Sequence, residues 1–571
     1  MKIKQFVFIT GMVTSLFSCL NVAQAETPHG TCTFSVDGHV LPQLTNYPDA
    51  HTLLSNICTD KVNLTGCTIP WERADDKSRV DVYFNNEKYG TSIPDFSVYD
   101  DNLIFAKIAA HGYELRIQQN EANSKYTINF PIELTKEGSC QETIKPGEQN
   151  ILQLTDIHFN PFAECTANVK PCKVIGSLIA NDIHKWSTLL SSGAINNYKE
   201  ETNNAFLTHG FDKLAEIVVR KGVKTILISG DTLAHDFDTN YKNFAPSQYT
   251  TNTAYFSDFC VKTLLYVVLE LEKRVPAGTK IYVTLGNNDS DIKNYKMQSH
   301  NFLSKVAAGL SKYVDSNSIN SFTTSYDKGG YFSVPLSDKI TLIGLNTNSF
   351  SPDTTATGDI TASNAQLNWF TNELVTAEKN GKKVILTQHI PYGMNLYFAA
   401  KNNIAFSALD DKLEVGYFNQ LKQHYPVISS IYAGHFHGEF LSLIDGKIPV
   451  IGTIAFNSYF GNNPGFKVIH ISPEGNFDGY TTYFFSQATN APMAWTPLYD
   501  YGSTYGSPDM IVYTLQNFPY DLKDPKVFNY RTYYAGGYGA STGLITEDQY
   551  WKAYYCGIKY SESPAYTACI K

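Results

Sequence analysis

The chain has 571 residues, of which 43% are hydrophobic and 17% charged, and its formal net charge is −9. That length exceeds one ordinary domain, and the composition is that of a globular chain with ample material for a core. The acidic balance and the lack of a basic stripe exclude a general nucleic-acid binder, so no nucleic-acid polymer is expected as a partner.

The N-terminus reads as a targeting segment. Lys2 and Lys4 precede an apolar run from Phe6 to Leu20, and Ala23-Gln24-Ala25 offers a small-x-small cleavage site. A signal peptide over 1–25, cleaved near Ala25, implies a secreted or periplasmic protein. The rival reading is lipidation at Cys19, but Phe17 fits a lipobox poorly. The first run is short for a bilayer span, and no later segment is long and apolar enough, so no transmembrane segment is expected. Leu264 to Leu271 is interrupted by Glu270 and reads as a buried helix.

Export implies an oxidising compartment in which cysteines pair. Beyond the signal, Cys32, Cys58, Cys67, Cys140, Cys165, Cys172, Cys260, Cys556 and Cys569 make an odd set, so at least one thiol is left over. Cys165 and Cys172 are expected to close a small loop, and Cys556 and Cys569 to staple the C-terminal end. Pairing among the four N-terminal cysteines stays open.

Residues 26–146 read as a separate β-rich domain, with a small β-sandwich as the expectation. Val80 to Phe84 and Tyr126 to Phe130 alternate with the period of half-buried strands. Lys145-Pro-Gly-Glu148 reads as the link into a second domain over 147–490. There strands and helices alternate. Ile151–Thr155 is a strand; Leu207, Phe211, Leu214 and Val218 share one helix face, which Gly222 ends. Thr225–Ser229 is a strand, a helix follows through the 254–273 region, and Lys280–Leu285 is a strand. Tyr331–Val334, Thr341–Leu345, Val384–Thr387 and Val427–Tyr432 continue the sheets, and Ala365–Glu378 is an amphipathic helix. The fold class is α/β, layered, with long functional loops. A C-terminal extension over 491–571 is crowded with tyrosines such as Tyr533, Tyr534, Tyr538, Tyr550, Tyr554 and Tyr555. Packing on the preceding α/β domain is the simpler reading of them, and a sugar- or lipid-contact surface the sharper one.

Five short motifs each follow a predicted strand: Asp156-Ile-His158, Gly230-Asp231, Gly286-Asn287-Asn288-Asp289, Gln388-His389-Ile-Pro391 and Gly434-His435-Phe-His437. Strand ends are where α/β sheets gather ligands. Imidazoles and carboxylates suit first-row divalent ions, and a bridging carboxylate holds two of them. Asp-x-His and His-x-His alternate as if both side chains lay on one face of an extended segment. Each motif alone is weak, since Gly-Asp is usually a turn and a lone histidine usually a core residue. The ordered set of five is strong. His184, His209, His300, His424 and His470 lie outside the motifs and read as surface or core residues. Glu439 reads as a neighbour of the site or a surface residue, and Asp236 as an orienter of His235 or a solvated side chain.

These motifs, together with Gly230-Asp231-Thr-Leu-Ala-His235-Asp236, Leu345-Asn346-Thr-Asn348 and Gln366-Leu-x-Trp369-Phe370, resemble the calcineurin-type metallophosphoesterase superfamily. More narrowly they resemble the acid sphingomyelinase and acid sphingomyelinase-like phosphodiesterase family. The resemblance covers about 148–571; the helical, cysteine-rich saposin pattern of the sphingomyelinase does not occur in the N-terminal segment. It implies a layered β-sandwich flanked by helices. It implies one metal held by Asp156, His158, Asp231 and His437, and another held by Asp231, Asn287, His389 and His435, with Asp231 bridging. Zinc is the family's usual metal; manganese and iron also suit the donors.

One position departs from the family. Asn288 stands where the family carries a histidine that assists the leaving group, and an asparagine donates a hydrogen bond but is no general acid. Asn288 and His235 are therefore the two candidate catalytic residues, with His235 the natural substitute for the missing histidine. The resemblance implies a secreted phosphodiesterase in which metal-bound hydroxide attacks phosphorus. Its expected substrates are small-molecule or lipid-headgroup phosphodiesters or pyrophosphates: sphingomyelin-like lipids, CDP-choline-like compounds or nucleotides. The alternatives are an acid-phosphatase-like phosphomonoesterase and a catalytically impaired binding protein, which Asn288 favours and the full ligand set disfavours.

Overall fold

The structure is a computed structural model. It describes residues 147–355, 360–489, 493–537, 540 and 543–571, without side chains at 353 and 355, and the backbone of nine strands between Thr31 and Ile132. The signal-peptide segment and the side chains of the four N-terminal cysteines lie outside the described residues. The chain divides into two compact units, Met1–Glu142 and Thr143–Lys571.

The first unit contains β1 (Thr31–Val36), β2 (His39–Val40), β3 (Val62–Arg73), β4 (Val80–Phe84), β5 (Glu87–Tyr89), β6 (Ser97–Asp100), β7 (Leu103–Ile108), β8 (Tyr113–Asn120) and β9 (Lys125–Ile132). They pair in the order β2-β1-β3-β9-β8-β7-β6, with β4 and β5 branching from β3. The pairing is one connected network of nine strands.

The second unit is an α/β sandwich of two mixed sheets flanked by helices. Its strands are β10 (Gln149–Leu154), β11 (Thr225–Ser229), β12 (Lys280–Thr284), β13 (Phe332–Pro335), β14 (Ile340–Leu345), β15 (Lys383–Gln388), β16 (Ile428–Ala433), β17 (Leu441–Ile444), β18 (Ile448–Gly452), β19 (Gly465–Ile471), β20 (Phe477–Phe484) and β21 (Thr496–Asp500). One sheet runs β12-β11-β10-β19-β20-β21 and the other β13-β14-β15-β16-β18-β17. In the first, β10, β11 and β12 are parallel; in the second, β14, β15, β16 and β18 are. The parallel strands therefore end together, and their outgoing loops meet at one rim. Both faces of β11 are buried, as expected where a parallel sheet is covered on each side.

Polar side chains stitch the two sheets beneath that rim. Gln153 donates to Ser229 Oγ at 3.0 Å, Ser229 Oγ meets Thr387 Oγ1 at 3.1 Å, and Thr453 Oγ1 donates to Gln153 Oε1 at 2.7 Å. Each is fully buried, or nearly so, so the bonds offset the cost of burying polar groups.

The helix over Asn204–Arg220 shows how sequence sets a boundary. Asn203 caps its start by accepting the Phe206 N–H at 2.8 Å. Phe206, Leu207, Phe211, Leu214 and Val218 form its buried face. Gly222 ends it at φ 57°, a left-handed conformation that lets Val223 N–H reach back to Val218 O at 2.9 Å.

Strands β17 to β21 lie beyond those the sequence periodicity identifies. β18 and most of β19 are buried on both faces, so they carry no two-residue alternation. The proposed boundary at 491 cuts β21 away from the sheet in which it pairs with β20. Tyr533, Tyr534 and Tyr554 are buried and Tyr550 and Tyr555 half-buried, so these rings pack inward on the core; Tyr538 lies outside the described residues. Cys165–Cys172 and Cys556–Cys569 are disulfides, and Cys260 is a buried free thiol. Among the described residues no helix is long and apolar enough to cross a membrane.

Candidate metal centre

The five motifs converge at the rim. β10 ends at Leu154, and the Asp156–Phe159 backbone then runs beside 230–232: Asp156 N–H donates to Gly230 O at 3.0 Å, His158 N–H to Asp231 O at 2.9 Å and Phe159 N–H to Thr232 O at 2.8 Å. The expected extended geometry of Asp-x-His and His-x-His does not occur. Asp156, His158, Asp231, His435 and His437 have φ of 50°, 45°, 52°, 75° and 56°. Left-handed φ is uncommon away from glycine and costs about 1–3 kcal/mol per residue, and it clusters at functional sites. The strands have already ended, and tight turns re-aim each side chain inward.

The motif glycines follow from crowding. A Cβ on Gly286 would lie 2.1 Å from Asp231 Oδ1, one on Gly434 would lie 1.9 Å from Thr155 Oγ1, and one on Gly230 would meet His389 Nδ1 at 2.6 Å. No other residue lets these loops approach so closely.

Hydrogen bonds then select which atom of each ligand faces inward. Asp156 Oδ2 accepts Thr155 Oγ1–H at 2.7 Å and His435 N–H at 3.0 Å, while its buried Oδ1 has no hydrogen-bond partner. His158 Nδ1 meets Leu233 O at 3.0 Å and His389 Nδ1 meets Ser229 O at 2.8 Å. A carbonyl only accepts, so both rings carry a proton at Nδ1 and the Nε2 atoms face the centre. Asn294 Oδ1 accepts the Asn287 amide at 2.8 Å, which turns Asn287 Oδ1 to within 3.0 Å of His389 Nε2.

The inward atoms are imidazole nitrogens and carboxylate oxygens crowded together. His437 Nε2 lies 3.3 Å from Asp156 Oδ1 and 3.2 Å from His158 Nε2. His389 Nε2 lies 3.2 Å and His158 Nε2 3.6 Å from Asp231 Oδ2. Burial opposes a charge on His389, yet the carboxylates of Asp231 and Asp156 push it up to about 9. Burial pulls His435 down to about 4 and His437 to about 3, with the charge of nearby histidines adding to it. Asp156 Oδ1 is left without a hydrogen-bond partner, and a cation would satisfy it. Donors about 2.0–2.1 Å from a tetrahedral ion are about 3.3 Å apart, which matches these spacings. The donor set thus fits divalent metal ions, with Asp231 between the two histidine groups.

Asp289 braces the loops: its Oδ1 accepts Thr232 and Leu233 N–H at 2.8 and 2.9 Å, and its Oδ2 accepts Gly286 N–H at 2.9 Å. Burial and the nearby Asp231 push its carboxyl up to about 7. Asn288 gives its backbone N–H to Asp231 Oδ1 at 2.8 Å and its side-chain amide to Oδ2 at 2.7 Å. It thereby clamps the central carboxylate with two hydrogen bonds.

His235 has a ring nitrogen within 4.8 Å of one in both His158 and His437. Its ring stacks on His158 at 4.0 Å with planes 12° apart. Imidazole lone pairs lie in the ring plane, so an ion bound in the plane of one ring lies far out of the plane of the other. His235 thereby sits beside the candidate metal centre, stacked on His158 rather than sharing its plane. Asp236 is exposed; the carboxylate on His235 is Glu201, at 2.7 Å from Nδ1. Glu439 is buried against Lys467, Thr482 and Tyr499. His300, His424 and His470 meet Asp327, Glu378 and Asn150. Glu201 and Asn294 sit in polar loops without a pattern, and the sequence offered no signal for either.

A family profile for calcineurin-like phosphoesterases matches residues 150–439. The human acid sphingomyelinase-like phosphodiesterase 3b is 24% identical over 323 residues, covering 53% of this chain and 69% of that protein. The human cyclic GMP-AMP phosphodiesterase is 22% identical over 340 residues, with 55% and 72% covered. The bovine sphingomyelin phosphodiesterase is 24% identical over 294 residues, with 46% and 44% covered. Among solved structures, a dimetal phosphatase from Danio rerio aligns at TM-score 0.36 and 10% identity, over 58% of this chain and 95% of that one.

Proposed function

The chain belongs to the calcineurin-like phosphoesterase family and is a metal-dependent phosphoric ester hydrolase; on that premise we propose that it is an exported, dinuclear phosphodiesterase acting on small phosphodiesters. The observation that carries the dinuclear reading is the buried, partnerless Asp156 Oδ1 facing the Nε2 atoms of His437, His158 and His389 at 3.3, 3.8 and 4.0 Å. Asp156, His158, Asp231 and His437 form one set of ligands, and Asp231, Asn287, His389 and His435 the other. Zinc suits a set so rich in imidazole. Two ions bound there supply Lewis acidity toward the phosphoryl oxygens and an activated water.

The chain's own residues do the rest. Asp231 keeps the two ligand sets in register, and Asn288 and Asp289 hold that carboxylate and its loops. His235 faces the His158–His437 side, where it gives a proton to the leaving oxygen as the P–O bond breaks. Substrates are proposed by likeness: relatives are named for sphingomyelin and for cyclic GMP-AMP, and the group those share is a phosphodiester. Export is supported by the two disulfides, which belong to an oxidising compartment.

Metal content and a paired assay test this reading. Purified chain is expected to hold two divalent ions and to hydrolyse bis-nitrophenyl phosphate faster than mono-nitrophenyl phosphate. A preference for the monoester makes it a phosphatase instead. His235→Ala is expected to slow an alkyl diester such as glycerophosphocholine by about 10²–10⁴-fold, and the nitrophenyl diester far less, because a poor leaving group needs the proton.

A further inference from the structure

We propose that Glu201 is the positioning residue for His235, fixing the imidazole so that Nε2 carries the proton to the leaving oxygen. The inference rests on the reading of His235 as the leaving-group acid. One oxygen of Glu201 accepts two hydrogens from the same residue: the His235 backbone N–H at 2.7 Å and the ring Nδ1–H at 2.7 Å. Because main chain and ring are tied to one atom, the ring cannot rotate about either side-chain bond without losing a bond. The Glu201 side chain is 8% exposed, so breaking those bonds leaves a buried carboxylate short of partners, which is costly.

The ring is also held on both faces. His158 stacks on one at 4.0 Å and Tyr459 on the other at 4.7 Å, with planes 23° apart. The loop that carries Glu201 anchors the Tyr459 loop as well. Lys199 N–H donates to Ser458 Oγ at 3.0 Å, and Tyr198 Oη–H donates to Gly461 O. Lys199 takes a left-handed φ of 69° to do so, a strain that the surrounding bonds must hold in place. Residues 198–201 therefore supply the carboxylate and fix the aromatic face opposite His158.

With Nδ1–H engaged by Glu201, Nε2 is the only ring atom left to exchange protons. As the P–O bond breaks, the Nε2 proton passes to the leaving oxygen, giving an alcohol. The water that adds to phosphorus loses its proton to solvent, and solvent returns one to His235. A carboxylate that orients an imidazole by its Nδ1–H serves the same end in hydrolytic triads. Glu201 touches neither substrate nor metal in this scheme.

The test uses the full chain with its metals counted, and two substrates, glycerophosphocholine and bis-nitrophenyl phosphate. Glu201→Ala is expected to lower kcat on the alkyl diester by about 10–100-fold and on the nitrophenyl diester by less than about 3-fold, part of the 10²–10⁴ that general acids contribute. KM and the two metals per chain stay unchanged. Glu201→Gln keeps an acceptor oxygen, so it recovers most of the alkyl rate; it also serves if Glu201→Ala does not fold. In a His235→Ala background, Glu201→Ala costs nothing further. Additive losses, equal losses on both substrates, or loss of metal in either Glu201 variant overturn the proposal. If His235→Ala itself slows both substrates equally, the acid reading falls first; if it is selective and the Glu201 variants are not, only this inference fails.

Discussion

Two buried ionic clusters of the catalytic unit differ in kind: one is closed and the other is open. Around Glu439, Oε1 accepts Lys467 Nζ and Thr482 Oγ1, Oε2 accepts Tyr499 Oη, and Tyr499 Oη meets Tyr480 Oη at 2.8 Å. The Lys467 ammonium also lies 4.5 Å over the Tyr480 ring. Around Asp156, one carboxylate oxygen and His437 Nδ1 have no hydrogen-bond partner, and five of the seven proposed ligands sit at left-handed φ. A buried charge with every partner present is self-sufficient. A buried cluster that leaves polar atoms without partners, on a strained backbone, is built for something that arrives later. The Glu439 cluster therefore has the character of a structural tie and the Asp156 cluster that of the proposed metal site, although the two begin two residues apart at His437 and Glu439.

Substitutions can break that contrast. Asp231→Asn removes the carboxylate between the two ligand sets. It is expected to lose both metals and at least about 10³-fold in turnover, read by metal analysis and kcat. Full turnover with two metals would make the open cluster ordinary structure. Lys467→Met strands Glu439 and is expected to cost about 3–5 kcal/mol in denaturant unfolding. Its folded fraction keeps two metals and its turnover; a selective loss of metal instead would mean that the clusters are one.

Smaller effects sharpen it. Asn288→Ala removes the side-chain bond to Asp231 but leaves the backbone one. It is expected to weaken metal binding by about 10–100-fold, measured by competition with a chelator. Glu414 is an intermediate case, with one buried oxygen lacking a hydrogen-bond partner. Burial pushes its carboxyl up from 4.5 to about 7, with Asp411 adding to it and Ser407 opposing it. A raised acid keeps its proton in the folded state and loses it in the unfolded one, so its contribution to stability falls as pH rises from 4.5 to about 7. Glu414→Gln should match the parent below pH 4.5 and melt higher at pH 8; equal melting at both would show the site to be relaxed.

What the sequence showed depended on whether a residue's neighbours in space were also its neighbours in the chain. The helix over Asn204–Arg220 was legible because its cap, apolar face and terminal glycine are local. The strand-end motifs were legible as residue types, and the glycines in them mark loops with no room for a Cβ. The turn geometry was not: Asp-x-His looks extended until the strand stops at Leu154 and the backbone turns left-handed. β18 and most of β19 escaped because a strand buried on both faces has no alternation. Glu201 escaped for a different reason, since it lies 34 residues from His235 and has meaning only once the two loops meet.

The left-handed turns have a consequence for anyone improving the protein. Glycine tolerates φ near 50° at no steric cost, and other residues there give up about 1–2 kcal/mol. At Asp156, His158, Asp231, His435 and His437 a glycine would also remove a buried ionisable group. Glycine would also forfeit the hydrogen bonds that Asp156 and Asp231 accept and the stabilisation that bound ions give a folded chain, so a heat-resistance selection should keep these five residues in spite of their strain.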